Sequence, residues 1–515
     1  MIGYQLSINA SRRPEAAALA FGTRRYSYAE LNERACRVAN GLTALGIGRG
    51  DRVATLIHNC NQFFEIFFAA AKLGAVFVPI NFRLVAREVG LVIAACSPKV
   101  LLAGNEFAVM VTKLKNHDSF PEHVIWVDDA FPVDCQVGAD APYERWLRMQ
   151  SPSEPETVLP ADDVEMLMHS SGTTGTPKGI VYTHATTLAS CTAKIIDFSL
   201  TSGDSTVVFG PLFHAGPLLD LALPLLLRGG RIVLGPSRQF DPSRLLRTVA
   251  EERATVVPIY PTMLRRVLAV EDLERYDLAS LRLRGTGGEA VPLPLLKGVY
   301  ERFPHVGFIN TYGSTEGGPA TTFLSSADKV RKMGSVGLPS FSVDVRVVDK
   351  HRTELGAGEV GELLVRSPFV CRGYWNQPAA TAESLRNGWW HTGDLALRDE
   401  EGFIWITGRS KDMIKSGTEN IYPIEVEQAI ASLAGVTEVG VIGVPDEEWG
   451  ESVAAFVVQA PGAGLDEAAV VAHCRRQLAS YKKPRYVVFV DSLPRNTTNK
   501  ISKIALRAQF AELAR

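Results

Sequence analysis

Short apolar strands alternate with amphipathic helices along most of this chain, and that alternation limits the fold more than any other feature. Ser27-Tyr28-Ala29-Glu30 reads as a capping box, in which serine and glutamate satisfy free N–H groups of a first helical turn. Leu31, Ala35, Val38, Leu42 and Leu45 follow at helical spacing, and Gly46 marks the stop. A strand is predicted over 51–57, a helix over 63–73 and a strand over 76–80. The pattern returns as a helix over 245–252, strands over 255–259 and 281–284, a helix over 293–303 and a strand over 306–310. Strands this apolar are buried on both faces, so helices must cover both faces of an α/β sheet.

At 515 residues the chain outgrows a single hydrophobic core, and two or more domains are expected. The texture changes at Gly408, where GRSKDMIKSGTEN is dense in charge and turn formers, as a linker should be. Beyond it, Pro423 suits the first turn of a helix carrying Ile424, Val426 and Ala429. Strands over 438–442, 453–458 and 486–490 and a helix near 467–478 complete a small α+β unit. The expected division is 1–408, a hinge at 409–412, and 413–515. A net charge of -2 supplies no field for nucleic acid or an anionic membrane. The apolar run from Ala215 to Leu227 is broken by Pro217, Asp220 and Pro224 and is too short to span a bilayer. The opening MIGYQLSINASRRPE has no apolar h-region, so no secretory signal is expected. Seven scattered cysteines lack metal spacing and read as small buried residues in a reducing compartment, the cytoplasm.

Chemistry concentrates in glycine-rich segments. Ser170-Ser171-Gly172-Thr173-Thr174-Gly175-Thr176-Pro177-Lys178-Gly179 combines glycines, hydroxyls and a lysine, the materials of a phosphate cradle. The common nucleotide loop would need glycine at 177, where Pro177 stands. Gly285–Glu289 and Gly313–Gly318 are expected just past strand ends, where open α/β sheets bind ligands. Glu316 is a hard oxygen donor of the type Mg²⁺ prefers. A second lysine, Lys500, stands apart in Pro494-Arg495-Asn496-Thr497-Thr498-Asn499-Lys500.

Read as SSGTTGTPKG, the first segment closely resembles the phosphate loop of the adenylate-forming superfamily: acyl-CoA synthetases, adenylation domains and firefly-type luciferases. Asn310-Thr311-Tyr312-Gly313-Ser314-Thr315-Glu316 resembles its N-x-Y-G-x-T-E motif, and Thr392-Gly393-Asp394 its T-G-D motif. Gly408-Arg409-Ser410-Lys411-Asp412 resembles its hinge, and Gly287-Gly288-Glu289 its strand-end loop. The matches run in the family's chain order, from roughly residue 25 to 505. This resemblance implies a large N-terminal domain of covered sheets (α/β with a distorted barrel) and a small mobile C-terminal α+β domain. It implies ATP, Mg²⁺ and coenzyme A as cofactors, and activation of a carboxylic acid to an acyl-AMP. It implies that Ser170, Ser171, Gly172, Thr174, Gly175 and Lys178 hold phosphates, and that Glu316 with Thr173 takes Mg²⁺. Gly288 and Glu289 would lie along adenine and the acyl group, beside Asn310, Thr311, Tyr312, Gly313, Ser314 and Thr315. Asp394 would accept from both ribose hydroxyls, with Arg409 near ribose and phosphate, Lys411 as pivot and Lys500 at the α-phosphate. Asn499 stands where the family has glycine; asparagine also enters left-handed conformations.

Such a reaction needs no side-chain nucleophile, only alignment and compensation of developing negative charge. Amino-acid-selecting relatives carry an aspartate after the aromatic of an F-D motif, where this chain has His214 after Phe213. A buried ammonium without its carboxylate is costly, so amino acids are disfavoured. The Pro211-Leu212-Phe213-His214 segment resembles that of acyl- and aryl-CoA ligases. Phe213, His214, Gly216, Leu218, Tyr260 and Met263, with Gly288 and Gly313, are expected to line a pocket for a hydrophobic acid. His214 read as a core histidine is the alternative. Trp449 either packs or lies against the pantetheine arm of CoA; Arg83, Lys482 and Lys483 either grip CoA phosphates or solvate a face. The leading expectation is an AMP-forming ligase joining a fatty, aryl or polycyclic acid to CoA. The alternatives are an acyl-AMP ligase loading an acyl carrier protein, a luciferase-like oxygenase and a non-catalytic nucleotide-binding relative. The expected partners are a small-molecule carboxylic acid and CoA or a carrier protein, without nucleic acid or a membrane span; a homodimer is compatible with the sequence.

Overall fold

The computed structural model describes residues 1–127, 143–170, 177–237, 240–288, 291–417, 419–496 and 500–513. The capping box forms as read: Glu30 N–H donates to Ser27 Oγ at 3.2 Å and Ser27 N–H to the Glu30 carboxylate at 2.7 Å, opening the helix Tyr28–Ala44.

Two largely parallel sheets make up the larger domain. One runs His123–Trp126, Val100–Ala103, Arg52–Leu56, Val76–Pro79 and Val164–Ser170, all parallel, with Lys178–Thr183 antiparallel at the edge. The other has nine strands, of which Gly307–Ser314, Leu283–Gly287, Val256–Pro258, Ser205–Val208, Arg231–Leu234 and Ala17–Phe21 are consecutive and parallel. The helix Asn61–Leu73 is buried along its whole length, as its run of phenylalanines and alanines demands. It shares one apolar cluster with Val53, Phe77 and Met166 of the first sheet and Val208, Ile232 and Ile309 of the second. The part expected as a distorted barrel is a five-stranded antiparallel sheet: Asp344–Val348, Gly361–Arg366, Trp389–Arg398, Leu385–Arg386 and Ile404–Arg409. The smaller C-terminal domain has its own five-stranded sheet, with apolar clusters around Val441 and Val453 on one face and Phe456 and Leu506 on the other.

Most predicted spans hold to within a few residues. Two differ, each for a physical reason. Gly408 and Arg409 are not linker but the end of the strand Ile404–Arg409, paired with Leu395 and Asp394; their charged neighbours face outward and mask the strand pattern. Gly285 to Gly287 and Gly313 to Ser314 lie on strands rather than past their ends, because their backbone still continues the strands. The run from Ala215 to Leu227 winds as a π-helical turn, Gly216–Ala222, continuing into the helix Leu223–Arg228. Such turns are rare and are often found at functional sites. Among the described residues no helix is long and apolar enough to cross a membrane. Of the six described cysteines, Cys36, Cys96, Cys191, Cys371 and Cys474 are buried.

Asn59, just past the strand Arg52–Leu56, straps the two sheets together. Its amide donates to the Gly210 carbonyl at 2.9 Å and its carbonyl accepts from Leu212 N–H at 3.0 Å. The strapped turn leads directly into Phe213 and His214. Asn59→Leu strands two buried backbone groups, so chemical denaturation should show a loss of about 2 kcal/mol. An unchanged midpoint would mean that the turn holds itself.

Candidate active site

The strand Gly307–Ser314 delivers Tyr312 to the buried carboxylate of Asp394, to which its hydroxyl donates at 2.6 Å. Arg409, opposite Asp394 in the neighbouring strand, pairs with the second carboxylate oxygen at 2.9 Å. The Asp394 charge raises the guanidinium pKa, and burial, then Asp394 itself, keeps the Tyr312 phenol protonated. Asp394 N–H donates to Thr392 Oγ1 at 3.0 Å, which fixes the bulge carrying both residues.

The other motif residues hold the strands in register. Asn310 donates to the Ser335 carbonyl at 3.3 Å, Thr311 to the Thr286 carbonyl at 3.1 Å, and Ser314 accepts from Gly317 N–H at 2.8 Å. A Cβ on Gly313 would lie 2.5 Å from the Gly318 carbonyl oxygen, so the hairpin closes only over glycine. The Thr315 carbonyl accepts from the Tyr182 hydroxyl at 2.5 Å. Glu316 follows: burial raises its carboxyl pKa, and Tyr374 donates to it at 3.4 Å. Lys178 sits 4.6 Å from the centre of the Tyr374 ring, and its charge also reaches Glu316.

Next to this carboxylate region lies a more apolar recess. Phe213 meets Phe82 edge-on at 4.8 Å and lies 4.2 Å from the His214 ring. His214 Nε2 is buried without a partner among the described residues. Burial, then the charges of Arg83 and Lys500, push this imidazole down to about 3. The recess therefore holds a neutral histidine within reach of a cation from the C-terminal domain. Gly216 and Gly288 both face the Tyr260 ring, and Gly288 takes a φ of +85° that disfavours a side chain. Leu218 is fully buried, and Met263 packs with the apolar cluster of the second sheet's helices.

In the C-terminal domain, Lys500 N–H donates to the Asn496 side chain at 2.9 Å, and Arg495 and Ile501 pair across the turn. Lys411 lies on the tight turn Ser410–Asp412, where desolvation and then Arg409 lower its pKa. Trp449 is 48% exposed and lies against Gly417, outside the recess. Lys482 pairs with Glu425 at 2.7 Å and Lys483 donates to the Ser480 carbonyl, so each has a local partner. Ser171, Gly172, Thr173, Thr174, Gly175, Glu289 and Asn499 lie outside the described residues; of Ser170 only the strand position is described. Two neighbours of the site escaped the sequence reading. Tyr374 sits between Lys178 and Glu316, and His169 has both ring nitrogens buried without a partner among the described residues. Neither carries a local signal beyond being next to a motif.

Fold and site together define an adenylate-forming enzyme. Residues 6–375 match the family model for AMP-binding enzymes, and residues 425–500 the model for the C-terminal domain of AMP-binding enzymes. The chain is 40% identical to a feruloyl-CoA synthase of Amycolatopsis sp., over 96% of each chain. It is 37% identical to the long-chain-fatty-acid–CoA ligase FadD13 of Mycobacterium tuberculosis, over 95% of this chain and 93% of that one. Among solved structures it resembles the anthranilate CoA ligase AuaEII in complex with anthranoyl-AMP, at a TM-score of 0.91 and 29% identity, over 99% and 98% of the two chains. The chain belongs to the AMP-binding enzyme family.

The neutral state of His214 has a measurable consequence. A base whose folded pKa is lowered takes up its proton only in the unfolded chain as pH falls. Its contribution to stability is therefore complete above pH 6.5 and lost progressively down to about 3. His214→Gln removes that term. The difference in unfolding free energy between variant and parent should change by about 1.4 kcal/mol per pH unit between pH 6.5 and 4.5, and stay constant above pH 7.5. A difference independent of pH would show a solvated imidazole.

Proposed function

We propose that the protein is an AMP-forming carboxylate–CoA ligase for hydrophobic acids. The reading rests above all on one observation: the buried Asp394 carboxylate is held between the Tyr312 hydroxyl and the Arg409 guanidinium, on the strand pair that also leads to Glu316. Named CoA ligases at 37–40% identity over nearly the whole chain support it.

In the first step the substrate carboxylate attacks the α-phosphorus of ATP, and the bond to pyrophosphate breaks. Lys500 steadies charge at the α-phosphate, while Lys178 holds the outer phosphates with Ser170, Ser171, Gly172, Thr174 and Gly175. Asp394 accepts from the ribose hydroxyls, Arg409 bridges ribose and phosphate, and Gly288 and Glu289 lie along the adenine. A buried carboxylate with one phenol partner fits a hard cation, so Glu316 with Thr173 would hold Mg²⁺, which takes few protein ligands and completes its shell with phosphate and water. Bound there, Mg²⁺ would neutralise triphosphate charge. Phe213, His214, Gly216, Tyr260 and Met263 enclose the acid and keep water from the mixed anhydride. In the second step the CoA sulfur attacks the acyl carbon and AMP leaves. The enzyme works in the cytoplasm, where CoA and ATP are available.

The unit boundary falls at 409–412, with Lys411 as the pivot that withdraws Lys500 between steps. One ion-pair clasp favours the first pose. Glu438 of the C-terminal sheet accepts from Arg265, on the helix following Tyr260, at 2.7 Å and from Arg495, near Lys500, at 2.6 Å.

Purified protein incubated with ATP, Mg²⁺, CoA and a panel of acids should release AMP and pyrophosphate only with an apolar acid, and complete turnover only with CoA. Adenylation indifferent to CoA would point to a carrier-protein acceptor instead. Lys500→Ala should slow adenylate formation by on the order of 10²-fold or more. Thioester formation from supplied acyl-AMP should stay within about threefold of the parent; equal loss of both steps would sink the division of labour. Glu438→Gln should slow adenylation severalfold and spare the thioester step, and an unchanged first step would show the clasp to be incidental.

A further inference from the structure

Arg284 stands on the strand Leu283–Gly287 among the apolar side chains of the helices Pro242–Glu251, Pro261–Leu268 and Leu293–Arg302, and only 1% of it is exposed. Its guanidinium carbon lies 3.8 Å from the centre of the Phe303 ring, which covers one face of the plane. Stacking does nothing for the N–H groups: Nε and Nη1 are buried and unbonded among the described residues. Burial alone moves the pKa, down to about 9, so the group keeps its charge at neutral pH, and no carboxylate among the described residues answers it. A buried cation without a counter-charge is strongly destabilising, and a buried unsatisfied donor in a native fold points to a water or an ion.

Arg284 shares the wall of a cavity of about 10 Å³ with Leu246, Val249, Ile259, Leu281 and Phe303. That is room for about one water-sized particle, and it excludes a carboxylate, a phosphate or the tail of an acid substrate. Chemistry separates the two small candidates. A buried water needs about two to four polar partners, and here its hydrogens would face aliphatic and phenyl groups. It would also leave the charge uncancelled. A halide ion only accepts, so an apolar wall with one donor suits it, and it brings the missing negative charge. Contact with a cation in surroundings of low dielectric offsets its loss of hydration. We propose that this cavity is a binding site for a single halide ion, chloride in the cell, held by the Arg284 guanidinium. Two residues on, the Thr286 carbonyl accepts from the Thr311 hydroxyl, so the ion steadies the strand that leads to Gly288. The site takes no part in the ligase chemistry and stands independently of that reading.

The test melts the purified full chain across a concentration series of sodium chloride, sodium bromide and sodium gluconate at matched ionic strength, gluconate being too large for the cavity. Chloride and bromide should raise the midpoint for the larger domain above that in gluconate by about 2 °C or more, with a response that saturates. Arg284→Met, which keeps the length of the side chain and removes its charge, should melt alike in all three salts. Crystals soaked in sodium bromide should show an anomalous peak within hydrogen-bond reach of an Arg284 nitrogen. Equal midpoints for the parent in halide and gluconate would overturn the inference, as would a halide response that survives Arg284→Met. Bromide found only on surface cations, an adventitious ion only, would overturn it too. The parent's salt comparison and its bromide map decide the matter even where Arg284→Met fails to fold.

Discussion

The carboxylate of Asp394 is the interaction on which the rest of the site depends. It is buried, and it is satisfied by a phenol from the nine-stranded sheet and a guanidinium from the neighbouring strand of the antiparallel sheet. Losing either partner would leave a buried charge short of its compensation, which typically costs several kcal/mol. That penalty locks the register in which Asp394 stands opposite Arg409. A slip of one residue would turn both side chains to the wrong face. Arg409 also ends its strand immediately before the turn Ser410–Asp412, so whatever fixes Arg409 fixes the departure of the chain toward the C-terminal domain. The Asp394 cluster and the departure of the chain toward the domain that carries Lys500 are therefore anchored at one point.

Much of this was legible in the sequence, and the rest was hidden for identifiable reasons. Elements whose signal is local were read well. The Ser27–Glu30 box, the helix Asn61–Leu73 and the strands at 52–56 and 76–79 carry their own periodicity or caps. Motifs pointed to Asn310, Thr311 and Arg409, and Arg409 was read into a linker, although all three lie on strands at positions where a buried strand is usually apolar. Their side chains are tied to neighbouring backbone or to Asp394, so polarity costs the ladder nothing. What could not be read was anything made only by tertiary meeting. Tyr374 between Lys178 and Glu316, Asn59 across two sheets, and Glu438 between two arginines each look like ordinary surface or turn residues in the sequence.

The electrostatics of the cleft follow a single logic. Its histidines are held neutral by burial, whereas its carboxylates are paired or next to cations. A neutral imidazole at 214 leaves Arg83 and Lys500 as the cations whose charges are felt there, and of these two Lys500 comes from the C-terminal domain. In a site stripped of water that compensation is worth far more than at the surface. In the mechanism proposed above, moving Lys500 would change the site from stabilising phosphate charge to admitting a thiol.

Asp220 shows how far composition can mislead about a pocket. In the sequence it is merely the charge that interrupts an apolar run. In the fold, the π-helical turn brings it close to Gly216 and to the Tyr260 phenol, whose hydroxyl has no partner among the described residues. Burial pushes its pKa up and that of Lys194 down, while each charge works against the other's shift. A chain selecting only for apolar bulk would gain by replacing such a pair with well-packed hydrophobic residues.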